Sequence, residues 1–575
     1  MRGAVPCLCL VATFWVVRYW HSSDFGLYED DYSHLPAAAS MSTGEAVAFA
    51  IDPQRILTLG GNGHPLHYTF IYLLTNLGWR VAGLHGPYLA GFVVETLNIC
   101  LLFWLVERIH SRPLAILVAL VYVLYSADTT QAYLTLSLGL HPSITLFLLA
   151  GHLHLSRCRW LAYVVAALML LTYETTFTAF FAFPLLLAYP RGRWLKETAS
   201  HVLVLVALLA AATIWRMAVG DNRLVGLRIR DAALTPLLHM VEGPPVSLGT
   251  YLYRPIQSLQ AMNTEVALVA FLVAGAFALT AWRLSQGTPS SITVFLAQIR
   301  AGDGVARRFW ITICSVPPEL GRLLRICVAG YIMLVLAYPL TFTVRAYAIS
   351  GRDTRVHAAG AIGAAVVVGT LVLIILWIAK ATHRRALMIA PLAVWLGLLA
   401  GYGMVIQSDY VHAWEYQKAF WAELVPLLPD VSDGTVVLVE PWGLKDTRQI
   451  HSNHWSLPIT LEQLYQFPAA WDSPPRVYLL KEDWTRKAMD VPGVLVIDED
   501  ATHPPADTFK TADPANAILI KTVGGTLNRV SEVVSPSGQT IDLRPLPTQW
   551  GEPPYEPGFL WRYLLAGSSA SPSGG

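Results

Sequence analysis

Charge is scarce in this chain of 575 residues: 14% are Asp, Glu, Lys or Arg, and the formal net charge is +1. So balanced a surface gives a nucleic-acid partner no basic patch to hold, and none is expected. Lysine is rarer still, at eight of the 40 basic residues, which leaves 32 Arg; with abundant Ala, that bias fits a GC-rich bacterial genome. No Asn-x-Ser/Thr sequon occurs anywhere, in keeping with the same origin. Cysteine is limited to Cys7, Cys9, Cys100, Cys158, Cys314 and Cys327, all in or beside apolar segments or their inner loops, and the polar C-terminal third has none. Neither a disulfide framework nor a metal-type cysteine spacing follows from that distribution.

What the chain has is apolar sequence. The hydrophobic fraction is 54% and mean hydropathy is +0.47, the composition of a polytopic α-helical membrane protein. About eleven spans are expected, near 4–20, 88–106, 113–127, 141–156, 159–175, 176–190, 201–219, 264–282, 324–344, 356–379 and 386–406, against the ~20 residues a bilayer core requires. Met1-Arg2 ahead of the first span resembles a signal sequence, yet no Ala-x-Ala-type site follows, so an uncleaved anchor is expected. With the N-terminus inside, the inner loops carry Arg108, Arg112, Arg157, Arg159, Arg191, Arg193, Lys196, Arg307, Arg308, Arg384 and Arg385. Every short inner loop is then basic, which fixes the orientation. The loops 21–87, 220–263 and 345–355, with everything after 406, fall outside the cytoplasm of a bacterial inner membrane.

The organisation divides at about residue 406. Residues 1–406 form the transmembrane domain, whose first outer loop holds apolar stretches at 46–51 and 66–77, too short to span and suited to interfacial helices. The inner loop 283–325 holds similar stretches at 292–299 and 309–316. Residues 407–566 read as a small α/β extracytoplasmic domain, with an amphipathic helix near 413–428 and β-like runs at 435–439, 476–480, 493–497 and 517–523. A Gly/Ser tail, 567–575, ends the chain. Eight of the 19 Trp lie in this domain, at 414, 421, 442, 455, 471, 484, 550 and 561. Tryptophan faces stack on sugars and equally fill small cores.

Directly after the first span comes Gly-Leu-Tyr-Glu-Asp-Asp-Tyr, a run of three acids at Glu29, Asp30 and Asp31. Carboxylates at a membrane are costly, and adjacent like charges raise one another's pKa unless a cation or proton donor relieves them. The run therefore points to an active site at the outer face, although a solvated helix end would carry the same residues. Glu95 and Glu174 lie in or near spans, where burial turns them toward the interior and an internal salt bridge explains either; Asp128 and His141 are weaker candidates of the same kind.

Taken together, these residues resemble the GT-C superfamily of membrane glycosyltransferases, nearest the branch of protein O-mannosyltransferases and their bacterial relatives. The likeness is carried by the acidic pair Asp30-Asp31 after the first span and by the interfacial stretches of the first outer loop. Gly61-Asn62-Gly63-His64-Pro65-Leu66 stands where the bacterial relatives carry an Arg-x-Pro-Leu-like stretch. The second span ends near Leu105-Val106-Glu107-Arg108, and Glu174 lies at the outer junction of the fifth and sixth spans. The sequence departs from the pattern at His64, where the basic residue is not Arg, and at Gly91 and Glu95, where relatives often have Asn and His.

The resemblance implies transfer of a sugar from a polyprenyl-phosphate-linked donor to a glycan, lipid or protein acceptor of the cell envelope. Asp30 would be the general base, Asp31 and Glu29 would tune it, and Asp30 with Asp31 could hold Mg²⁺ or Mn²⁺. The leaving phosphate needs fixed positive charge, from that cation or from Arg55, Arg345, Arg352 and Arg355 at the outer face. His64 and His67 are candidates for contact with phosphate or acceptor. A transporter or lipid flippase would instead spread its charges along several spans, a non-catalytic scaffold would not need Asp30, and an O-antigen-type polymerase or ligase would place Arg and His in a late outer loop.

Overall fold

The computed structural model describes residues 4–52, 54, 63–187, 194–219, 229–286, 290–301, 316–341, 345–440, 457–479, 495–498, 509–534 and 540–566. These residues are mostly helical, and every strand among them lies beyond residue 435. The chain packs into two units, residues 1–23 with 41–408, and residues 24–40 with 409–575. The acidic segment packs with the C-terminal residues.

In the first unit, six segments among the described residues are long and apolar enough to cross a membrane: His85–Ile109, Leu134–Leu155, Trp194–Ala218, Thr264–Gln286, Arg352–Ala381 and Arg385–Leu427. That is fewer than the eleven expected, and the shortfall has local causes. The 113–127 span is a helix of 12 residues, Arg112–Val123, about 18 Å at 1.5 Å per residue against a core of about 30 Å. The 159–175 span shortens to Arg159–Thr172. The 176–190 span is one α-helical turn, Thr175–Ala179, followed by a 3-10 stretch, Phe180–Leu186, that contains Pro184; proline supplies no amide to continue the ladder. Helix Ala4–Tyr19 has 16 residues, and the 324–344 span is displaced to Pro318–Leu336, whose first turns carry Glu319, Arg322 and Arg325.

The 220–263 segment, expected as a loop between spans, contains the helix Ile229–Gln260 with Pro236, Pro244, Pro245 and Pro255 inside it. The expected interfacial stretches are helices, Thr43–Ile51, Pro65–Ala82 and, on the other loop, Ser290–Ala301. Residues 309–315 lie outside the described residues. The last span and the amphipathic helix after it are one helix of 40 residues, Arg385–Leu424.

Helix Trp194–Ala218 leaves Leu203, Val206, Ile214 and Met217 at least half exposed. So continuous an apolar surface suits hydrocarbon rather than water. Where helices do meet, small residues bring them close. A Cβ on Gly363 would stand 2.5 Å from the Leu334 amide nitrogen and 2.8 Å from the Gly330 carbonyl, so the crossing of Ala361–Ala381 over Pro318–Leu336 requires glycine there.

Among its described residues the second unit has ten short strands: β1 (Val436–Val439), β2 (Tyr465–Gln466), β3 (Arg476–Leu479), β4 (Leu495–Asp498), β5 (Phe509–Ala512), β6 (Ala517–Val523), β7 (Thr526–Val530), β8 (Glu532–Val534), β9 (Thr540–Asp542) and β10 (Glu556–Pro557). Four of them form a sheet in the order β3-β1-β6-β7. β1 lies parallel to both β3 and β6, and β7 returns antiparallel on β6. Leu438, Ala517, Leu519, Val533 and Leu543 fill the core beneath. Three of the four expected β-runs form β1, β3 and β6; the fourth is β4, with residues 493–494 outside the described ones, as is the 567–575 tail.

Asp430 ties this unit together. It meets Arg529 at 2.5 and 2.9 Å and Arg544 Nε at 3.1 Å. Burial alone would raise the Asp430 carboxyl, but the Arg529 hydrogen bond and the two guanidinium charges outweigh it and hold the group below the usual carboxylate range.

Candidate active site

The acidic run is a tight backbone turn that opens the helix Asp31–Ser40. Asp31 N–H donates to Tyr28 O at 3.0 Å, Tyr32 N–H to Glu29 O at 3.2 Å and Ser33 N–H to Asp30 O at 3.0 Å. The Asp31 carboxylate accepts the Tyr28 N–H at 3.2 Å and is fully buried. Two tyrosines fix the turn within its unit: Tyr28 donates to Tyr410 O at 2.8 Å, and Tyr32 donates to Gln417 Oε1 at 2.5 Å. Gln463 Nε2 donates to Tyr32 O at 2.8 Å, and Gln417 Nε2 to Leu27 O at 3.2 Å.

Between these anchors Glu29 adopts φ +50°, a left-handed conformation that costs a non-glycine residue about 1–3 kcal/mol and persists only where the surroundings impose it. Glu29 is buried as well, at 5% exposure. Of the three acids, Asp30 alone reaches the surface, half-buried. One turn later sits half-buried His34. Burial pulls its pKa below the ordinary histidine range and the nearby Asp30 charge pulls it back. The arrangement can take a proton from a hydroxyl brought to Asp30, and neither Glu29 nor Asp31 is placed to do so. Among the described residues no three His, Cys, Asp or Glu converge as a dedicated metal site would require. The carboxylate of Asp31, one of the two that could hold Mg²⁺ or Mn²⁺, accepts the Tyr28 N–H through Oδ2.

In the first unit two polar clusters are buried among the helices. One gathers three of the residues singled out in the sequence. His64 Nδ1 lies 3.2 Å from Glu174, and Arg216 Nη2 lies 3.3 Å from the same oxygen and 2.9 Å from Leu170 O. The His64 and His67 rings flank Tyr173, with centroids at 5.7 and 5.9 Å. Gly63, at φ +89°, passes beneath the Arg216 side chain, where a Cβ would come within 2.7 Å. Arg216 was not singled out from the sequence; its only signal is a lone arginine in the last turn of an apolar helix.

The other cluster joins Arg18, Glu95, Asp128 and His141. His141 Nδ1 pairs with Glu95, and its Nε2 faces Asp128 at 3.9 Å. Tyr122 donates to Glu95 at 3.0 Å, and Thr130 caps Asp128 through its amide at 2.9 Å and its hydroxyl at 2.6 Å. Arg18 donates to Tyr125 O, and to Gln131 Oε1 at 2.6 Å. Both imidazole nitrogens face carboxylates, Glu95 closely and Asp128 beyond hydrogen-bond distance. The four side chains line a cavity of about 40 Å³, room for roughly three waters. Glu174 and Glu95 each face a basic side chain, the internal salt bridge that would explain either acid; His141 is the partner of Glu95, and Asp128 faces the other side of the same imidazole.

The arginines of the 345–355 loop differ in exposure. Arg345 is exposed and lies against Tyr347, donating to its hydroxyl at 3.0 Å. Arg352 and Arg355, both half-buried, lie in the 3-10 helix Arg352–Gly360. That stretch is fixed by His357, which contacts Tyr338 OH at 2.9 Å and Ala348 O at 2.7 Å, and by Thr354, 2.9 Å from Thr129 Oγ1. Arg55, Gly61 and Asn62 lie outside the described residues. A further arginine, Arg254, is buried between the rings of Tyr253 and Tyr402 and donates to Ile349 O at 2.5 Å. It supports the same loop from below, a role that only tertiary contact could reveal.

Neither the known protein-family models nor the curated proteins include a match to this chain.

Proposed function

We propose that the chain is an integral membrane glycosyltransferase that moves a sugar from a polyprenyl-phosphate-linked donor to an envelope acceptor at the outer face of the membrane. The observation that carries this reading is the acidic turn: three carboxylates in sequence, two buried, with Asp30 alone open to a substrate hydroxyl. A carboxylate within hydrogen-bond reach of an acceptor hydroxyl removes its proton as the oxygen attacks the anomeric carbon, an effect of about 10²–10⁴-fold. Polyprenyl phosphate departs, and Arg352, with Arg345 and Arg355, is the proposed partner for its charge. His64, His67 and Glu174, with Arg216, form the proposed wall of the substrate site in the helical unit. Mg²⁺ or Mn²⁺ at Asp30 would supply the same charge to the phosphate.

The finer architecture belongs to the proposal as well: about eleven crossings of a GT-C-like domain, with the shorter apolar helices completing the count of six long ones. The N-terminus would be cytoplasmic. A reporter active only in the periplasm should then work when fused after Ser408 and fail when fused after Arg385. The reverse pattern would move Asp30 to the cytoplasmic side and remove the donor from its reach.

Arg352→Ala should raise the donor concentration needed for half-maximal rate about tenfold or more, with Arg345→Ala weaker. Arg352→Lys should recover part of the loss, because a point charge replaces a fork. Rates are to be measured in nanodiscs with and without EDTA. Unchanged kinetics in both alanine variants together with strong EDTA inhibition would transfer the role to a metal.

A proton-linked transporter is the second reading, favoured by the Arg18–Glu95–Asp128–His141 cluster, whose ionisable side chains come from several segments and line one small cavity. The readings separate in a deletion strain. Mass spectrometry of the envelope should find one glycan missing while its lipid-linked precursor accumulates on the outer leaflet; accumulation on the inner leaflet would favour the transporter.

A further inference from the structure

The C-terminal unit sorts its tryptophans into two groups. Trp414 and Trp421 are core, 6% and 1% exposed, whereas Trp550 is 53% exposed and Trp471 and Trp561 are half-buried. Trp442, Trp455 and Trp484 lie outside the described residues. At the surface, Phe467 and Trp471 stack with centroids 5.3 Å apart and an interplanar angle of 17°. Tyr555 meets both edge-on, at 5.0 and 5.4 Å.

The group is held rigidly from behind. Tyr555 OH donates to Val431 O at 2.9 Å, and Asp433 accepts the amides of Asp472 and Ser473 at 3.2 and 2.8 Å. The β2–β10 pairing brings the two contributing segments together. Beside them Glu552 Oε2 accepts from Tyr465 OH at 3.2 Å and Trp561 Nε1 at 3.4 Å, which leaves its other oxygen to a ligand.

The two segments that carry the rings, residues 465–475 and 550–561, contain Asp472, Glu552 and Glu556 and no Lys or Arg. The neighbouring arginines are engaged: Arg476 pairs with Glu462 at 3.5 Å, Arg544 near Tyr555 is bound to Asp430, and Arg562 lies over the Phe559 and Tyr563 rings. The carboxylates of the two segments disfavour an anionic lipid surface or a phosphate. A neutral ligand with C–H faces for the rings and hydroxyls for the carboxylates fits. We infer that the Phe467–Trp471–Tyr555 face, with Glu552, binds a neutral oligosaccharide. It would hold the acceptor glycan for the transfer proposed above, and it rests on that reading for its role but not for its binding.

The test uses the full chain in nanodiscs of neutral lipid, carrying Asp30→Asn so that no turnover intervenes, titrated with maltohexaose, mannohexaose and chitohexaose by calorimetry. At least one should bind saturably. Trp471→Ala should weaken that binding about tenfold or more, and Trp471→Phe should restore part of it. Glu552→Gln is the companion variant: it keeps the shape and an oxygen for the Tyr465 and Trp561 bonds, so it keeps the fold if Trp471→Ala does not, and it should weaken binding severalfold. Failure of all three sugars to bind, or binding unchanged in Trp471→Ala and Glu552→Gln, would overturn the inference. So would capture by anionic vesicles without sugar binding, which would make the face a membrane contact. Sugar binding by a wild-type chain that transfers nothing would leave this inference standing while the transferase reading falls.

Discussion

Asp30→Asn should lower sugar transfer by at least ~10²-fold at normal expression, because the amide keeps shape and hydrogen bonding and removes the proton acceptor. The loss should fall on kcat, with the donor concentration dependence little changed, since the role assigned to Asp30 begins when the acceptor oxygen attacks. Asp31→Asn should be milder: its carboxylate accepts the Tyr28 N–H at 3.2 Å, and an amide oxygen can accept the same bond. Glu29→Gly should fold at least as well as the native chain, because glycine adopts φ +50° without strain. An Asp30→Asn variant with near-native turnover would remove the base from the mechanism. An Asp31→Asn variant as inactive as Asp30→Asn would mean that Asp31 does more than hold the turn.

The second large effect is expected in stability. Glu95→Ala takes one acid from a buried network of four ionisable side chains and leaves His141 and Arg18 with Asp128 alone. Breaking a buried pair by removing one partner costs about 3–5 kcal/mol, because the remaining charge stays desolvated. Replacing both Glu95 and His141 by Gln should cost less than Glu95→Ala, since no unpaired charge is left. Thermal unfolding in one detergent compares the variants directly. Equal losses in both would show that the pair is not coupled. If the cluster is structural, the double variant should also keep its transfer activity once folded, whereas a proton-linked transporter would lose function in it entirely.

Much of the helical unit was legible from apolar runs alone. His85–Ile109, Thr264–Gln286 and Arg352–Ala381 enclose their expected spans, because some twenty apolar residues have few structures open to them in lipid. The misses fall where length and hydropathy are insufficient guides. Arg112–Val123 and Arg159–Thr172 stop early, and their ends carry the polar loops that hold Asp128 and Glu174. Ile229–Gln260 forms a helix despite four prolines, where a loop between spans was expected. Within the site, the acids were visible as a run, since adjacency is a sequence property. That Glu29 and Asp31 are buried while Asp30 is open could not be read, because the distinction is made by Tyr410, Gln417 and Gln463, some 380 residues or more away. Arg216 and Arg18 were missed for the same reason: each meets its partners only through tertiary packing.

The central claim is tested most directly in the cell, by returning either the native gene or the Asp30→Asn variant to a deletion strain and analysing the envelope glycans by mass spectrometry. The native gene should restore the missing glycan. The Asp30→Asn protein, present in the membrane at the native level, should leave it missing with the lipid-linked donor accumulated. Restoration of the glycan by the variant would contradict the account.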